Sequence, residues 1–143
     1  MAHPDLDALF DTLLPFTQKL LSEKGGFLPW AATMSSTGEI QWVGADNGEE
    51  FPGAQALIDL LTETFQRQST LGVLRALGIC YDVCVIPPGR SGKSDAVCCS
   101  LEHISGEALD VFVPYTKADD GIHYDEIYSV RRDPRFFSPA GTQ

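Results

Sequence analysis

The chain carries little positive charge and no long apolar segment. Its 143 residues include 20 acidic and 10 basic side chains, which leaves a formal net charge of −10. Nucleic acids and anionic membrane surfaces are themselves negative, so they would repel this surface on average. No part of the sequence approaches the roughly 20 consecutive apolar residues that cross a bilayer. We therefore expect neither a nucleic-acid partner nor a membrane partner.

A secretory signal is also missing. The first residues, MAHPDLDALF, contain acidic side chains where such a signal needs a positive start and an apolar run. We expect a cytoplasmic protein, and in that reducing compartment its four cysteines are expected to be free thiols. Length and a hydrophobic content of 43% favour a single domain over residues 1–137, followed by a disordered tail at residues 138–143.

Complete motifs for nucleotide or calcium binding are absent as well. Gly92-Lys93-Ser94 is similar to the end of a phosphate-binding loop, but Pro87 stands where that motif needs its first glycine. A strand is also predicted to follow, whereas the motif requires a helix. The acidic turn at residues 46–50 lacks the ligand spacing of an EF-hand loop. We expect no cofactor and no metal ion.

The cysteines do not form a recognisable metal or catalytic motif. Cys80 and Cys84 would lie roughly 13 Å apart along a strand, too far for two ligands of one zinc ion. Cys98 and Cys99 would point to opposite faces of a strand. A cysteine nucleophile beside His103 or His123 would need a lowered thiol pKa, whereas apolar neighbours raise it. We interpret all four as buried thiols and predict no catalytic residue.

What the sequence does contain is a clear order of helices and strands. Apolar side chains at spacings of three and four predict a helix over residues 5–23, which is kinked or divided at Pro15 and ends at Gly25-Gly26. Residues 27–34 and 39–45 predict a β-hairpin. A second amphipathic stripe predicts a helix over residues 53–68.

Residues 73–117 are the centre of the predicted fold, because apolar and other residues alternate there in three successive runs. This alternation predicts three strands whose odd-numbered positions share one buried face. Small residues at even positions would allow a helix or a partner subunit to approach closely. With a fourth strand over residues 122–130, we predict an α+β domain with an antiparallel sheet of five or six strands and two main helices, in the order α-β-β-α-β-β-β-β.

Three carboxylates occupy even-numbered positions of these strands: Asp82, Glu102 and Asp110. We predict that they share the less apolar face, which makes them a candidate interaction face. Paired carboxylates can perform acid–base chemistry, but solvated residues on a half-exposed sheet face are the favoured interpretation.

The chain's last arginines and phenylalanines lie close together at residues 131–137. This segment is expected to dock either on an acidic partner or on the protein's own acidic surface. Its two phenylalanines are expected to fold back onto the core.

The runs GICYDVCVIPP, SDAVCCSLEH and ALDVFVPY resemble those of an uncharacterised bacterial family. The order of elements is similar to that of profilin-like domains of the roadblock and longin type. This resemblance implies a central antiparallel sheet with helices on its faces, and it implies no activity or site residues. The leading hypothesis is a non-catalytic protein-binding or scaffold module that acts as a homodimer. The alternatives are a small hydrolase or transferase with a carboxylate or cysteine site on the sheet, and a small-ligand sensor with a pocket between sheet and helix.

Overall fold

The computed structural model describes residues 3–44, 48 and 53–137. These residues contain two helices and seven strands. Their bounds, in chain order, are α1 Pro4–Lys24, β1 Trp30–Ser35, β2 Ile40–Gly44, α2 Ala54–Thr70, β3 Leu74–Val85, β4 Ser94–His103, β5 Ala108–Ala118, β6 Gly121–Tyr124 and β7 Tyr128–Arg131. Every strand pairing is antiparallel. The predicted α+β class, with an antiparallel sheet and two helices, is confirmed.

The sheet has the strand order β2-β1-β3-β4-β5-β6, and β7 also pairs with β5. β6 and β7 pair with different halves of β5, at residues 115–118 and 109–112. The single strand predicted over residues 122–130 is therefore two short strands. The strand assignment is interrupted between Tyr124 and Tyr128, although the Asp125 amide still donates to the carbonyl of Pro114 at 2.9 Å.

Helix α1 lies against one face of the sheet through a buried stripe spaced at three and four residues: Leu6, Leu9, Leu13, Thr17 and Leu21. The helix continues through Pro15, so of the two predicted outcomes, a kink or a division into two short helices, the division is wrong. Pro15 lies on the exposed side of the helix, where water can satisfy the carbonyl that the proline leaves without an amide donor. The helix ends as predicted, with Gly25 in the left-handed conformation (φ 75°) and its amide bonded to the Leu21 carbonyl.

The residues on the two faces of the sheet differ from the prediction, because β3 has the opposite parity to β4 and β5: its even-numbered residues lie on the face that carries the odd-numbered residues of the other two strands. Cys80 pairs with Cys99, and Cys99 pairs with Val111. Even positions of β3 therefore share the α1 face with odd positions of β4 and β5. This parity depends on the conformation of the loop between β3 and β4. The alternation of residues within the strands does not predict that conformation.

The opposite face is also covered rather than half exposed. Helix α2 buries Leu57, Leu61 and Phe65. Phe136 and Phe137, which are 8% and 5% exposed, join Phe65 in a second core cluster with residues of β1 and β3. The expectation that these two phenylalanines fold back onto the core is confirmed.

Two predicted features lie outside the described residues: the tail at residues 138–143 and the acidic turn at residues 46–50 apart from Gly48. Within the described part of the chain, neither helix has the length and apolar character needed to cross a membrane.

Candidate functional site

The structure separates the three carboxylates of the predicted interaction face. Asp82 pairs with Val97 and lies on the α1 face, whereas Glu102 pairs with Leu77 and lies on the α2 face. Asp110 pairs with Ser100 and joins Glu102. The prediction that all three share one face is therefore wrong, and its physical reason is the parity of β3.

Glu102 is fully buried and holds the C-terminal segment against the sheet. One carboxylate oxygen accepts from the Arg132 guanidinium and from the Arg135 amide, each at 2.8 Å. The other accepts from the amides of Phe136 and Phe137 at 2.8 and 2.7 Å. Four donors thus surround one carboxylate, as the burial of a charge requires. Of the two sequence-based expectations for residues 131–137, docking on the protein's own acidic residues accounts for these contacts.

Asp110 is engaged by the same arginine. Its carboxylate accepts from Arg132 Nε at 3.1 Å and from the Ser100 hydroxyl at 2.7 Å. Arg132 therefore joins the two carboxylates of the α2 face into one ion-pair network, with only 10% of its own side chain exposed. These contacts give Glu102 and Asp110 a clear structural role.

Asp82 lies elsewhere and is more exposed. Its carboxylate accepts a hydrogen bond from the Tyr115 hydroxyl at 2.9 Å. Partial burial raises the pKa of Asp82, and the hydrogen bond from Tyr115 opposes that rise. Burial and the contact with Asp82 both raise the pKa of Tyr115.

The cysteines divide between the two faces and the surface. Cys80 and Cys99 face each other under α1 with their sulfur atoms 3.7 Å apart. Cys84 is exposed, so the interpretation of all four cysteines as buried thiols is wrong for this residue. Cys98 lies on the α2 face, where burial is the main cause that raises its thiol pKa to about 12. The hydrogen bond to Cys80 and burial raise the pKa of Cys99 well above its usual range. Raised pKa values disfavour the thiolate that nucleophilic catalysis needs.

Both histidines considered as partners of a catalytic cysteine are engaged by carboxylates. His103 Nε2 lies 2.9 Å from Asp5, and His123 Nε2 lies 2.7 Å from Asp120. Gly92 and Lys93 lie in a loop and Ser94 begins β4, which is the strand expected to follow this sequence.

A cluster that the sequence did not reveal lies at the start of α1. Single ligand atoms of His3, Asp5 and His103 all come within 4.8 Å of one another, a spacing that would suit a metal ion. However, Nδ1 of His3 accepts from the Asp5 amide and Nδ1 of His103 accepts from the Ser105 amide, each at 3.0 Å. In the neutral rings the proton is therefore on Nε2, so His103 Nε2 donates to Asp5 and offers no lone pair to a metal ion.

Arg75 completes this cluster by forming an ion pair with Asp5 at 3.2 Å. The rings of His3 and His103 stack with their centroids 3.8 Å apart. The cluster therefore fastens the start of α1 to β3 and β4 by hydrogen bonds. Its members lie up to 100 positions apart in the chain, so only the tertiary structure brings them together.

Asp5 should make stability dependent on pH. The hydrogen bond from His103, together with Arg75, lowers its pKa in the folded protein despite partial burial. Its stabilising contribution is thus complete above the unfolded-state pKa of about 3.9 and is lost as pH falls through the lower folded-state value. We expect Asp5→Asn to lower the free energy of unfolding by about 1–2 kcal/mol at pH 7, a difference that disappears toward pH 2.

Urea unfolding of both proteins across this pH range would measure the difference. Asp11→Asn, at an exposed position of the same helix, is the matched control and should have little effect at any pH. A difference for Asp5→Asn that stays constant down to pH 2 would contradict the assignment.

An open apolar groove of about 650 Å³ lies between the second half of α1 and the β1–β2 hairpin. We call it the aromatic groove, after the three rings at its centre: Phe16, Trp30 and Trp42. Their centroids lie 5.1 to 5.4 Å apart. Trp30 is nearly buried, whereas Trp42 is 59% exposed and Leu28, at the rim, is 55% exposed. These exposed apolar side chains give the groove the character of a binding surface.

Strand β2 forms one wall of this groove and is also an edge of the sheet. The Ser35 amide donates to the Glu39 carbonyl, so Ser35 and Glu39 form a hydrogen-bonded pair. Alternation along an antiparallel ladder then directs the backbone amide and carbonyl groups of Ile40, Trp42 and Gly44 away from β1. Among residues 3–44, 48 and 53–137, no strand pairs with this side of β2.

Comparison with protein-family models, with curated proteins and with solved structures finds no significant match for this chain. A signal for the aromatic groove was present in the sequence, because both tryptophans of the chain fall in the predicted hairpin.

Proposed function

We propose that the protein is a non-catalytic binding module that forms a homodimer by antiparallel pairing of β2 with β2 of a second copy. The two-fold axis passes near Trp42, so the outward backbone groups of Trp42 pair with those of its symmetry mate, and Ile40 pairs with Gly44. One observation carries the proposal: β2 is an edge strand that combines outward backbone groups with an exposed tryptophan. Pairing of this kind would extend one sheet across two profilin-like subunits.

The protective features of natural edge strands are missing from β2. Charged residues, proline and bulges usually prevent edges from pairing, and the sequence of β2, IQWVG, contains neither charge nor proline. The opposite edge is different, because it is divided into β6 and β7, which have four residues each and include His123 and Arg131. Short, interrupted strands with basic side chains make that edge the poorer surface for pairing.

Electrostatics also supports an uncharged contact. Two copies that each carry a net charge of −10 repel one another on average. Contact through a strand without charged side chains brings no further like charges close together, so it adds least to the repulsion between the two copies. The four free cysteines further support the placement of this dimer in a reducing cytoplasm.

The dimer predicts specific effects of substitutions on β2. Trp42→Ala is expected to weaken association roughly 30-fold, since a central tryptophan of an interface typically contributes about 2 kcal/mol. Ile40→Lys places a charge on the pairing edge and should also favour the monomer. Sedimentation equilibrium over a range of protein concentrations measures both effects.

Ile104→Lys is the matched control, because Ile104 is 52% exposed and lies beyond the end of β4. It should leave the dissociation constant unchanged. A wild-type protein that stays monomeric throughout the micromolar range would contradict the dimer, and so would equal effects of the two lysine substitutions.

A second candidate function is the binding of a small apolar ligand in the aromatic groove. The specific observation in its favour is the volume of about 650 Å³, which lies within the range of small-molecule sites. Native mass spectrometry of the purified protein distinguishes the two candidates, because it reports subunit number and retained ligand together. A monomer that carries a bound molecule would favour this second function.

A further inference from the structure

Cys80 and Cys99 form a close pair of thiols in the core under α1. Both are fully buried, and their sulfur atoms lie 3.7 Å apart. We propose that this pair is a modification site, which hydrogen peroxide converts to an intramolecular disulfide and thiols reduce again. Oxidation of the pair regulates the β2 surface, and this regulatory part rests on the dimer proposed above.

The position of the pair in the ladder suits a disulfide. The Ile104 amide donates to the Arg75 carbonyl, so Arg75 and Ile104 form a hydrogen-bonded pair. Hydrogen-bonded and non-hydrogen-bonded pairs alternate along this ladder, so Cys80 and Cys99 form a non-hydrogen-bonded pair, the kind in which opposite side chains come closest. The Cα atoms of such pairs lie about 4.5 Å apart, which falls within the range that disulfides span.

The reaction proceeds in two balanced steps. In the open state one thiol of the pair loses its proton, and the resulting thiolate attacks one oxygen of hydrogen peroxide, which breaks the O–O bond and forms a sulfenic acid; the leaving hydroxide takes up the released proton and departs as the first water molecule. The second thiol then attacks that sulfur, forms the S–S bond and releases the second water molecule. The two sulfur atoms together lose two electrons, and the peroxide oxygens gain them.

Burial makes the two thiols slow to react. Neither thiol contacts solvent in the folded protein, so peroxide reaches the pair only when α1 opens transiently from the sheet. Cys84, on the same strand, is exposed and serves as an internal reference for an accessible thiol. We expect Cys80 and Cys99 to react at least 100-fold more slowly than Cys84 with an alkylating reagent, because only the open state reacts.

A chain of hydrogen bonds connects the pair to the aromatic groove. The Cys80 sulfur lies 3.3 Å from the Thr17 hydroxyl, which accepts from the Trp30 indole nitrogen at 2.9 Å. Trp30 in turn packs against Trp42 of β2. A disulfide shortens the sulfur–sulfur distance to about 2.05 Å. This movement draws the Cys80 sulfur toward Cys99 and changes its contact with the Thr17 hydroxyl.

The site is tested by peroxide treatment of the reduced full-length protein carrying Cys84→Ser, which removes the exposed thiol. We expect the mass to fall by two hydrogen atoms, with a tryptic peptide linking residues 80 and 99. Dithiothreitol should restore the original mass. Cys99→Ser should abolish the linked peptide. Stable oxygen adducts without a link between these residues would overturn the proposal.

The regulatory effect is tested on the same two forms. We expect the dissociation constant of the oxidised dimer to be roughly tenfold higher than that of the reduced dimer, an effect of the size that is typical of coupling between two sites. Intrinsic fluorescence should change at the same time, since both tryptophans belong to the groove. Equal dissociation constants would overturn the regulation. A reduced protein that is monomeric would instead contradict the dimer and leave the disulfide site standing.

Discussion

Glu102→Ala is expected to lower the free energy of unfolding by about 3–5 kcal/mol, the effect of removing one partner from a buried ion pair. The substitution leaves the Arg132 guanidinium without its carboxylate in a site that is 10% exposed. It also leaves the amides of Phe136 and Phe137 without an acceptor in a buried environment. Both consequences destabilise the folded state, because a buried donor without a partner is unfavourable.

Urea unfolding at pH 7 measures this change, and Glu63→Ala is the matched control. Glu63 forms an ion pair with Arg67 at 3.7 Å, but 71% of its side chain is exposed, so its removal should change stability by less than about 0.5 kcal/mol. Trypsin gives an independent measurement, since release of residues 131–137 should accelerate cleavage after Arg135. A loss below 1 kcal/mol, with unchanged proteolysis, would show that Glu102 does not hold this segment.

Local periodicity was sufficient to predict the types of the elements. Leucine spacing identified α1, and alternation of apolar residues identified β3, β4 and β5, because each pattern depends only on neighbours in the chain. Pro15 shows the limit of such reasoning. Its effect on the helix depends on whether the unpaired carbonyl is exposed or buried, and that depends on how the whole helix packs.

Strand register was not predictable from the same patterns. A shift by one residue exchanges the two faces of a strand, and the parity of β3 decided the position of every polar residue on it. For this reason Asp82 was placed wrongly with Glu102 and Asp110. The contact between Cys80 and Cys99 was missed for the same reason, since both faces of β3 carry residues that can be buried.

The charge of a side chain was also a poor guide to its burial. Glu102 has the sequence features of a solvated strand residue, yet it is fully buried. Its donors come from residues 132–137, about thirty positions later in the chain. The late arginines and phenylalanines were the available signal. They predicted docking on an acidic surface without indicating which carboxylate would accept them.

Gly78→Val is expected to destabilise the protein by about 3 kcal/mol, because Leu13 of α1 and Leu101 of β4 occupy the space beside Gly78. A Cβ atom there would lie 2.7 Å from Leu101 Cδ2 and 2.8 Å from Leu13 Cδ1. The larger side chain must therefore displace both leucines in a closely packed core. The preference of valine for strands acts in the opposite direction but spans only about 1 kcal/mol.

Gly78→Ala tests the same contact with the smallest possible addition and should destabilise by about 1–3 kcal/mol. Gly92→Ala is the control, since nothing lies within 4 Å of its added Cβ. Leu13→Ala alone should be destabilising by about 2–5 kcal/mol. Combined with Gly78→Ala it should be less harmful than the sum of the two, because the shorter side chain makes room for the new methyl group. If urea unfolding shows that the two effects add, α1 can move away from the sheet freely. If the double variant is more stable than the sum predicts, the packing constraint lies at the contact between Leu13 and Gly78.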